Sequence, residues 1–364
     1  MNIYFHIPYC KSKCKYCAFY SETQSLPSEY IDYMVQEFSE IVHINGKKVN
    51  TVYIGGGTPS ALPAPLIERL ISSIVAESSP RELSVEVNPA DVSQELLEAL
   101  QGVTRISIGA QSFDDSILNF LGRRHTKADI CHAVEFVKTA GFTNFGLDLI
   151  AAIPSMTQEC WEKTLDAAVA LSPTHISIYN LSIEEGTHFF RSGLVPISDD
   201  EAMEQLALAQ SHLNVAGYGR YEISNYAKPG FECLHNLAVW HGEDYYGIGA
   251  GAHSRILRSR IHNKDNWLEW LAAKQVGAAI PQAIEQLTDQ EDSRERSFTQ
   301  WRLLNEGIII IPPTPEKKAL LKTLLAQAII RELKPDTYAL TSRGTEVADS
   351  VISGMMELHS VTNN

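Results

Sequence analysis

The amino-acid sequence predicts an α/β fold: an open, partial (β/α)6 barrel followed by a small, mainly helical, winged-helix-like C-terminal domain. Three observations lead there. Six short β-rich segments alternate with amphipathic stretches over the first half of the chain, and such alternation builds a parallel sheet from βαβ units. The alternation fails after about residue 190, short of the eight units that close a full barrel. From about residue 256 the chain reads as mainly helical, which divides it into a barrel with its extension at 1–255 and a C-terminal domain at 256–364.

The expected strands are Ile3–Ile7, Thr51–Ile54, Leu83–Val87, Arg105–Ile108, Phe145–Ile150 and His175–Tyr179. Helical stretches such as "SEYIDYMVQEFSEIV" and "PAPLIERLISSIVAE" lie between them. In the second, Leu66, Ile67, Leu70, Ile71 and Ile74 fall at helical spacing, and Pro63 or Pro65 suits its first turn. "SDDEAMEQLALAQSHLNVAGYG" predicts a helix with an acidic first turn and a glycine stop. A Gly-rich loop, "YYGIGAGAHS", follows. The ending "TYALTSRGTEVADSVISGMME" suggests a short β-like piece, a turn at Gly344 and a last helix.

Composition narrows the function classes. The formal net charge of −14 disfavours non-specific nucleic-acid binding. "MNIYFHIP" has neither a basic start nor a long apolar run, so a signal peptide is not expected. The most apolar run, "EGIIIIPP", falls far short of the roughly 18 residues that span a bilayer. The expectation is a cytoplasmic protein without a transmembrane segment. In such a chain the six cysteines are not expected to form a disulfide framework.

Three of them, Cys10, Cys14 and Cys17, sit in one loop spaced C-x3-C-x2-C; Cys131, Cys160 and Cys233 are scattered. Structural zinc takes four protein ligands, and no His-x3-His partner lies near. His6 precedes the loop but occupies an ordinary strand position. Iron–sulfur clusters take thiolates at such short spacings, and three of them leave one iron open to a non-protein ligand. The spacing, with aromatic Tyr16 before the third cysteine, resembles the radical S-adenosyl-L-methionine (SAM) superfamily. The resemblance implies a [4Fe-4S] cluster on Cys10, Cys14 and Cys17, with SAM on the open iron.

The strand ends add to this. In α/β barrels chemistry sits at the C-terminal ends of the strands. The second strand runs into "YIGGGTPSAL", where glycines allow a ligand to approach the backbone. Glu86, in "VEVNP", is a carboxylate among apolar neighbours, held by SAM ribose hydroxyls or by a structural salt bridge. Gln111 in "SIGAQSF" and Arg123 in "LGRRHT" follow; arginine suits a carboxylate. Asp148 interrupts the apolar run "GLDLIAAIP", as a structural residue or as a ligand holder.

Together "YFHIPYC", "GGGTPS", "EVNP", "GAQSF", "LGR" and "DLI", over residues 4 to 150, resemble the family of oxygen-independent coproporphyrinogen III dehydrogenase and its heme-chaperone relatives. The resemblance implies SAM contacts at Tyr4, Gly56, Gly57, Thr58, Glu86, Gln111, Arg123 and Asp148. Two features favour the chaperone branch. The dehydrogenase has a further cysteine where this chain has Phe19, and an extension before its first strand. The stretch "LHNLAVWHGEDYYGIGAGAHS" resembles the chaperone signature His-Asn-x-x-Tyr-Trp, with Val239 in place of the tyrosine. It implies heme at His235, with Trp240 over the porphyrin and His253 as second candidate ligand. A plain hydrogen-bonded loop residue is the competing role for His235. The expected function is a heme chaperone that passes heme to acceptor proteins, with peripheral membrane contact allowed. Coproporphyrinogen dehydrogenase or another radical SAM enzyme is the alternative.

Overall fold

The computed structural model describes residues 1–46, 48–310 and 313–357. Strands β1 (Asn2–Ile7), β2 (Thr51–Gly56), β3 (Glu82–Val87), β4 (Arg105–Gln111), β5 (Phe145–Ala151) and β6 (His175–Asn180) are parallel and adjacent in chain order. All six expected strands are present, each extended by one to three residues. Period two explains their composition. Ile3, Phe5, Ile7, Val52, Ile54, Leu83, Val85, Ile106, Ile108, Leu147, Leu149 and Ile176 are fully buried in one continuous core. The alternate residues are polar or glycine: Tyr53, Glu86, Arg105, Ser107, Gly109, Asp148, His175 and Ser177 line a cavity within the barrel. One face packs on helices while the other surrounds a lumen.

The helices answer the same pattern. Ser28–Asn45 and Ala64–Glu77 bury Tyr30, Ile31, Met34, Phe38 and Ile67, Leu70, Ile71, Ile74. The expected acidic helix runs Asp199–Val215, with a capping box between Ser198 and Glu201 and Gly217 at φ 86° beyond its end. The sheet does not close. β8 (Asn225–Ala227) pairs antiparallel with β6, and β7 (Gly219–Arg220) with β8. At the other side β9 (Tyr245–Ile248) pairs parallel with β1, followed by β10 (His253–Ile256), β11 (Ser259–Asn263) and β12 (Gln282–Gln286), all antiparallel.

Those last strands correct the sequence reading. The boundary expected at 255/256 falls inside β10, and the barrel sheet continues to Gln286. The strands were hidden because they form the polar end of the sheet; all five residues of β12 are exposed, so no apolar alternation marks it. A second core begins at Trp301 and gathers Leu304, Ile308, Leu321, Leu324, Ile330, Leu340, Ile352 and Met355. It lies between the helices Pro315–Ala326 and Ala348–Glu357 and a small antiparallel sheet of β13 (Ile308–Ile309), β15 (Thr337–Leu340) and β14 (Ile330–Lys334). Gly344 is no turn but part of the helix Ser342–Glu346, where a Cβ would collide with the Ile329 carbonyl oxygen. Of "EGIIIIPP", Ile311 and Pro312 lie outside the described residues. All six cysteines are free. Among the described residues no helix is long and apolar enough to cross a membrane.

Three buried histidines make the fold acid-sensitive. Burial lowers His125 and His235 from about 6.5 to about 4, and lowers His175 well below its ordinary value. The unfolded chain therefore binds more protons than the folded one between pH 6.5 and 4. Stability present at pH 7 should fall across that window by up to about 1.4 kcal/mol per pH unit for each histidine. Urea unfolding at pH 7, 5.5 and 4 measures the slope. His125→Gln, which keeps a donor for the Ala110 carbonyl, should make it shallower; an unchanged slope would refute the assignment.

Candidate functional site

The cysteine loop leaves β1 and is pinned at three places. Cys10 N donates to the Glu22 carbonyl at 2.9 Å and Glu22 N to that of Pro8 at 3.0 Å. Lys15 N donates to Leu121 O, and Phe189 N donates to Lys15 O, both at 3.0 Å. The "GGG" turn at the end of β2 seats the loop: Gly57 N donates to Ile7 O and Thr58 N to Tyr9 O, both at 2.8 Å. The glycines are required by the protein itself. A Cβ at Gly55 would meet the Glu86 carboxyl at 2.9 Å. At Gly56, φ 105°, it would meet the His6 ring at 2.6 Å; at Gly57, the Tyr9 carbonyl oxygen at 2.6 Å.

The three thiols face polar neighbours. Thr58 Oγ1 lies 3.3 Å from Cys10 Sγ, and Arg123 Nη1 donates to Cys14 Sγ at 3.4 Å. Burial raises the Cys17 thiol, and the neighbouring thiols add to it. Three free thiols on one loop, a guanidinium donor on one of them, and a cavity beside Cys17 fit a cluster held at three corners. Arg123 Nη2 also donates to the Gly109 carbonyl at 2.9 Å, while its Nε is buried without a partner.

The cavity, about 660 Å3, runs inward from Cys17, Ala18 and Phe19. Gly56, Gly57, Thr58, Glu86, Gln111, Arg123 and Asp148 all line it, so the strand-end residues expected to hold SAM are brought together. Tyr4 is not with them; its hydroxyl meets His6 Nδ1 at 3.3 Å and its ring stacks on Tyr53. Gln111 adopts φ 61°, and its Oε1 is buried without a partner. A strained backbone with an orphan acceptor, which alone costs about 1–3 kcal/mol, marks a ligand position.

Two carboxylates face this space. Burial, then the neighbouring Asp148, push Glu86 up to about 7, against the Tyr53 hydroxyl that donates to it at 3.0 Å. Asp148 is raised by burial, while the Ser177 and Ser107 hydroxyls oppose the shift; Ser107 Oγ reaches both Asp148 oxygens at 3.1 and 3.0 Å. Among the described residues Glu86 has no salt-bridge partner, and the Tyr53 hydroxyl is its side-chain donor. Tyr53, Ser107 and Ser177 were missed in the sequence. Their signal was there: polar residues at period two in otherwise apolar strands.

The residues expected to hold heme are separated. His235 lies in the helix Leu234–Trp240, which crosses the barrel floor; it is 6% exposed. Thr51 Oγ1 donates to Asn2 Oδ1 at 2.9 Å, so at 2.8 Å it accepts from His235 Nδ1–H, and Nε2 keeps the lone pair. One face of the Trp240 ring is covered: the Arg302 guanidinium lies 4.4 Å from its centroid. His253 is exposed on β10 and stacks on His262 at 4.1 Å. Cys233 is a buried thiol pushed up to about 12 by burial and by Glu82.

Residues 4–168 match the radical SAM superfamily model. A heme chaperone HemW of Lactococcus lactis is 38% identical over 85% of this chain and 83% of its own. The chain belongs to the HemW heme chaperone family. A second member, from Mycobacterium tuberculosis, is 30% identical over 98% of this chain and 94% of its own. The Escherichia coli coproporphyrinogen III oxidase, a radical SAM enzyme, shares the fold: TM-score 0.82 at 20% identity, over 98% of this chain and 90% of that one. The superfamily implies a [4Fe-4S] cluster and SAM. The loop thiols and the lined cavity fit both.

SAM affinity should therefore rise between pH 6 and 8 as Glu86 ionises, and Glu86→Gln should flatten the rise. Asp148→Ala should weaken binding about 5- to 150-fold with iron content unchanged. Equilibrium dialysis with labelled SAM measures both; unchanged affinity in the two variants would make these carboxylates structural.

Proposed function

We propose that this protein is a cytoplasmic heme chaperone: it binds heme beside a SAM-liganded [4Fe-4S] cluster and passes the heme to acceptor proteins. The observation that carries the reading is similarity to heme chaperones over most of both chains. The residues supply binding, orientation and exclusion of water. Cys10, Cys14 and Cys17 would hold the cluster, which supplies an open iron for SAM. Gly56, Gly57, Thr58, Gln111, Glu86 and Asp148 would hold SAM, the last two as acceptors for its hydroxyl or ammonium groups. Arg123 positions the loop through Cys14. Peripheral membrane contact during transfer is part of the same proposal; among the described residues no helix is long and apolar enough to cross a membrane.

We propose the reverse order of the two candidate heme ligands from the sequence. His253 is exposed, which favours it as the imidazole a heme reaches first. His235 has a suitable Nε2 lone pair but is buried under its own helix, so ligation there requires that helix to lift from the floor. Trp240 serves the packing against Arg302. Heme titration separates these roles: His253→Ala should shift the Soret band and weaken binding at least about 10-fold, as loss of an axial ligand does, while His235→Ala leaves the band in place. The opposite result would assign the ligand to His235.

The alternative, oxidative decarboxylation of coproporphyrinogen III, is disfavoured by Phe19, which stands 70% exposed at the cavity mouth where the enzyme carries a cysteine. Positioning two propionate chains demands an enclosed site, since displacement of about 1 Å can cost on the order of 100-fold in rate. With reconstituted cluster, SAM, reductant and coproporphyrinogen III under anaerobic conditions, no catalytic product is expected. Turnover lost in Cys14→Ala would restore the enzyme reading.

A further inference from the structure

We propose that the inner end of the barrel cavity is a carboxylate-binding site, in which the Arg105 guanidinium and the His175 Nδ1–H hold the oxygens of one carboxylate group. Neither residue belongs to the SAM set, and both line the same cavity deeper within the barrel. Arg105 opens β4 and is 2% exposed. Its Nε and Nη1 are buried without a hydrogen-bond partner. Among the described residues no carboxylate lies within ion-pair distance of it. A buried cation left so is costly, and a carboxylate matching its fork offsets that cost.

His175 is 1% exposed and faces the same point. Its Nε2 lies 2.9 Å from the Tyr221 hydroxyl. That hydroxyl oxygen accepts from Cys233 N at 3.2 Å, and among the described residues His175 Nε2 is the acceptor its own hydrogen meets, so we assign that hydrogen to Nε2. Nδ1 then carries the ring hydrogen, and Nδ1 is buried without a partner. Between the two donors sits Gly146, paired in register with His175. A Cβ there would lie 3.3 Å from His175 Nδ1 and 3.4 Å from Arg105 Nη2. The missing side chain leaves the space between the donors open.

The nearby carboxylates are engaged elsewhere. Glu82 Oε1 accepts from Cys233 Sγ and His235 N, and Oε2 from Leu234 N. Asp148 takes the Ser107 hydroxyl. The site therefore presents free donors of fixed geometry and one cation. It takes a carboxylate from one of two sources: a small free carboxylate ion, or a carboxylate arm of a larger molecule lying in the cavity. The inference does not depend on the heme reading.

The test is titration of the full-length protein with carbon-13-labelled propionate, followed by NMR line broadening. Saturable binding is expected in the wild type, and propionamide should not compete. Arg105→Met should weaken binding roughly 10- to 100-fold, the scale for a hydrogen-bonded charged group, with Arg105→Lys intermediate. Gly146→Ala keeps every charge and should weaken it by at least about 10-fold through the occupied space. If Arg105→Met fails to fold, Gly146→Ala and Arg105→Lys still decide. Added heme that displaces propionate identifies a carboxylate arm as the source; heme and propionate bound together identify the free ion. Absence of saturable binding, or equal affinity in the wild type and Gly146→Ala, would overturn the site and leave water on these donors.

Discussion

The site depends on one steric constraint: no Cβ fits at Gly55, Gly56 or Gly57. Each missing side chain is replaced by a different part of the molecule, namely the Glu86 carboxyl, the His6 imidazole and the backbone of Ile7 and Tyr9. The last contact is also bonded, by Gly57 and Thr58 N–H groups. The turn thus joins the cysteine loop of the first βα unit to the carboxylate of the third. Together with the bonds of Cys10 to Glu22 and of Lys15 to Leu121 and Phe189, it fixes the loop of three thiols, and a metal cluster needs its ligands held within tenths of an ångström.

The barrel built around this turn has two unlike ends. The mouth carries the thiols, the exposed Phe19 and the strained Gln111. The floor is closed by the helix Leu234–Trp240, whose first N–H groups end on the buried Glu82 carboxylate, a favourable place for negative charge. This helix carries the histidine-asparagine-tryptophan pattern that resembles a heme signature. In the resting fold those residues have structural duties: His235 on Thr51, Trp240 under Arg302. Asn236 and Cys233 of the same segment look into the cavity. A single short segment therefore couples the floor of the barrel to Arg302, beside the C-terminal domain's core.

The strands, the helices between them and the cysteine loop were legible because each leaves a local trace. Short β-rich segments between amphipathic stretches mark β1 to β6, and thiol spacing marks the cluster loop. Glu86, Gln111 and Asp148 were legible as polar residues in or at the ends of apolar strands, and Arg123 in the motif that follows the fourth strand. Strands β10 to β12 were not, because strands at a polar sheet end carry no alternation. Arg105, His175 and Tyr53 were passed over because each is one polar residue inside a short strand, and only the curvature of the sheet turns that face into a lumen.

By itself the sequence determined the parallel barrel, the three thiolates and the family, all of which rest on order and spacing along the chain. Tertiary structure decided what each polar group touches. It set Arg123 against Cys14 and Gly109, turned Tyr4 to His6, buried His235 and exposed His253. It also left Arg105 and His175 with free donors facing across Gly146. The physical reason is that a hydrogen bond is fixed within about 0.5 Å, while residue order constrains neighbours only through the path of the backbone. Partners such as Thr51 and His235, 184 positions apart, meet only when the sheet has curled.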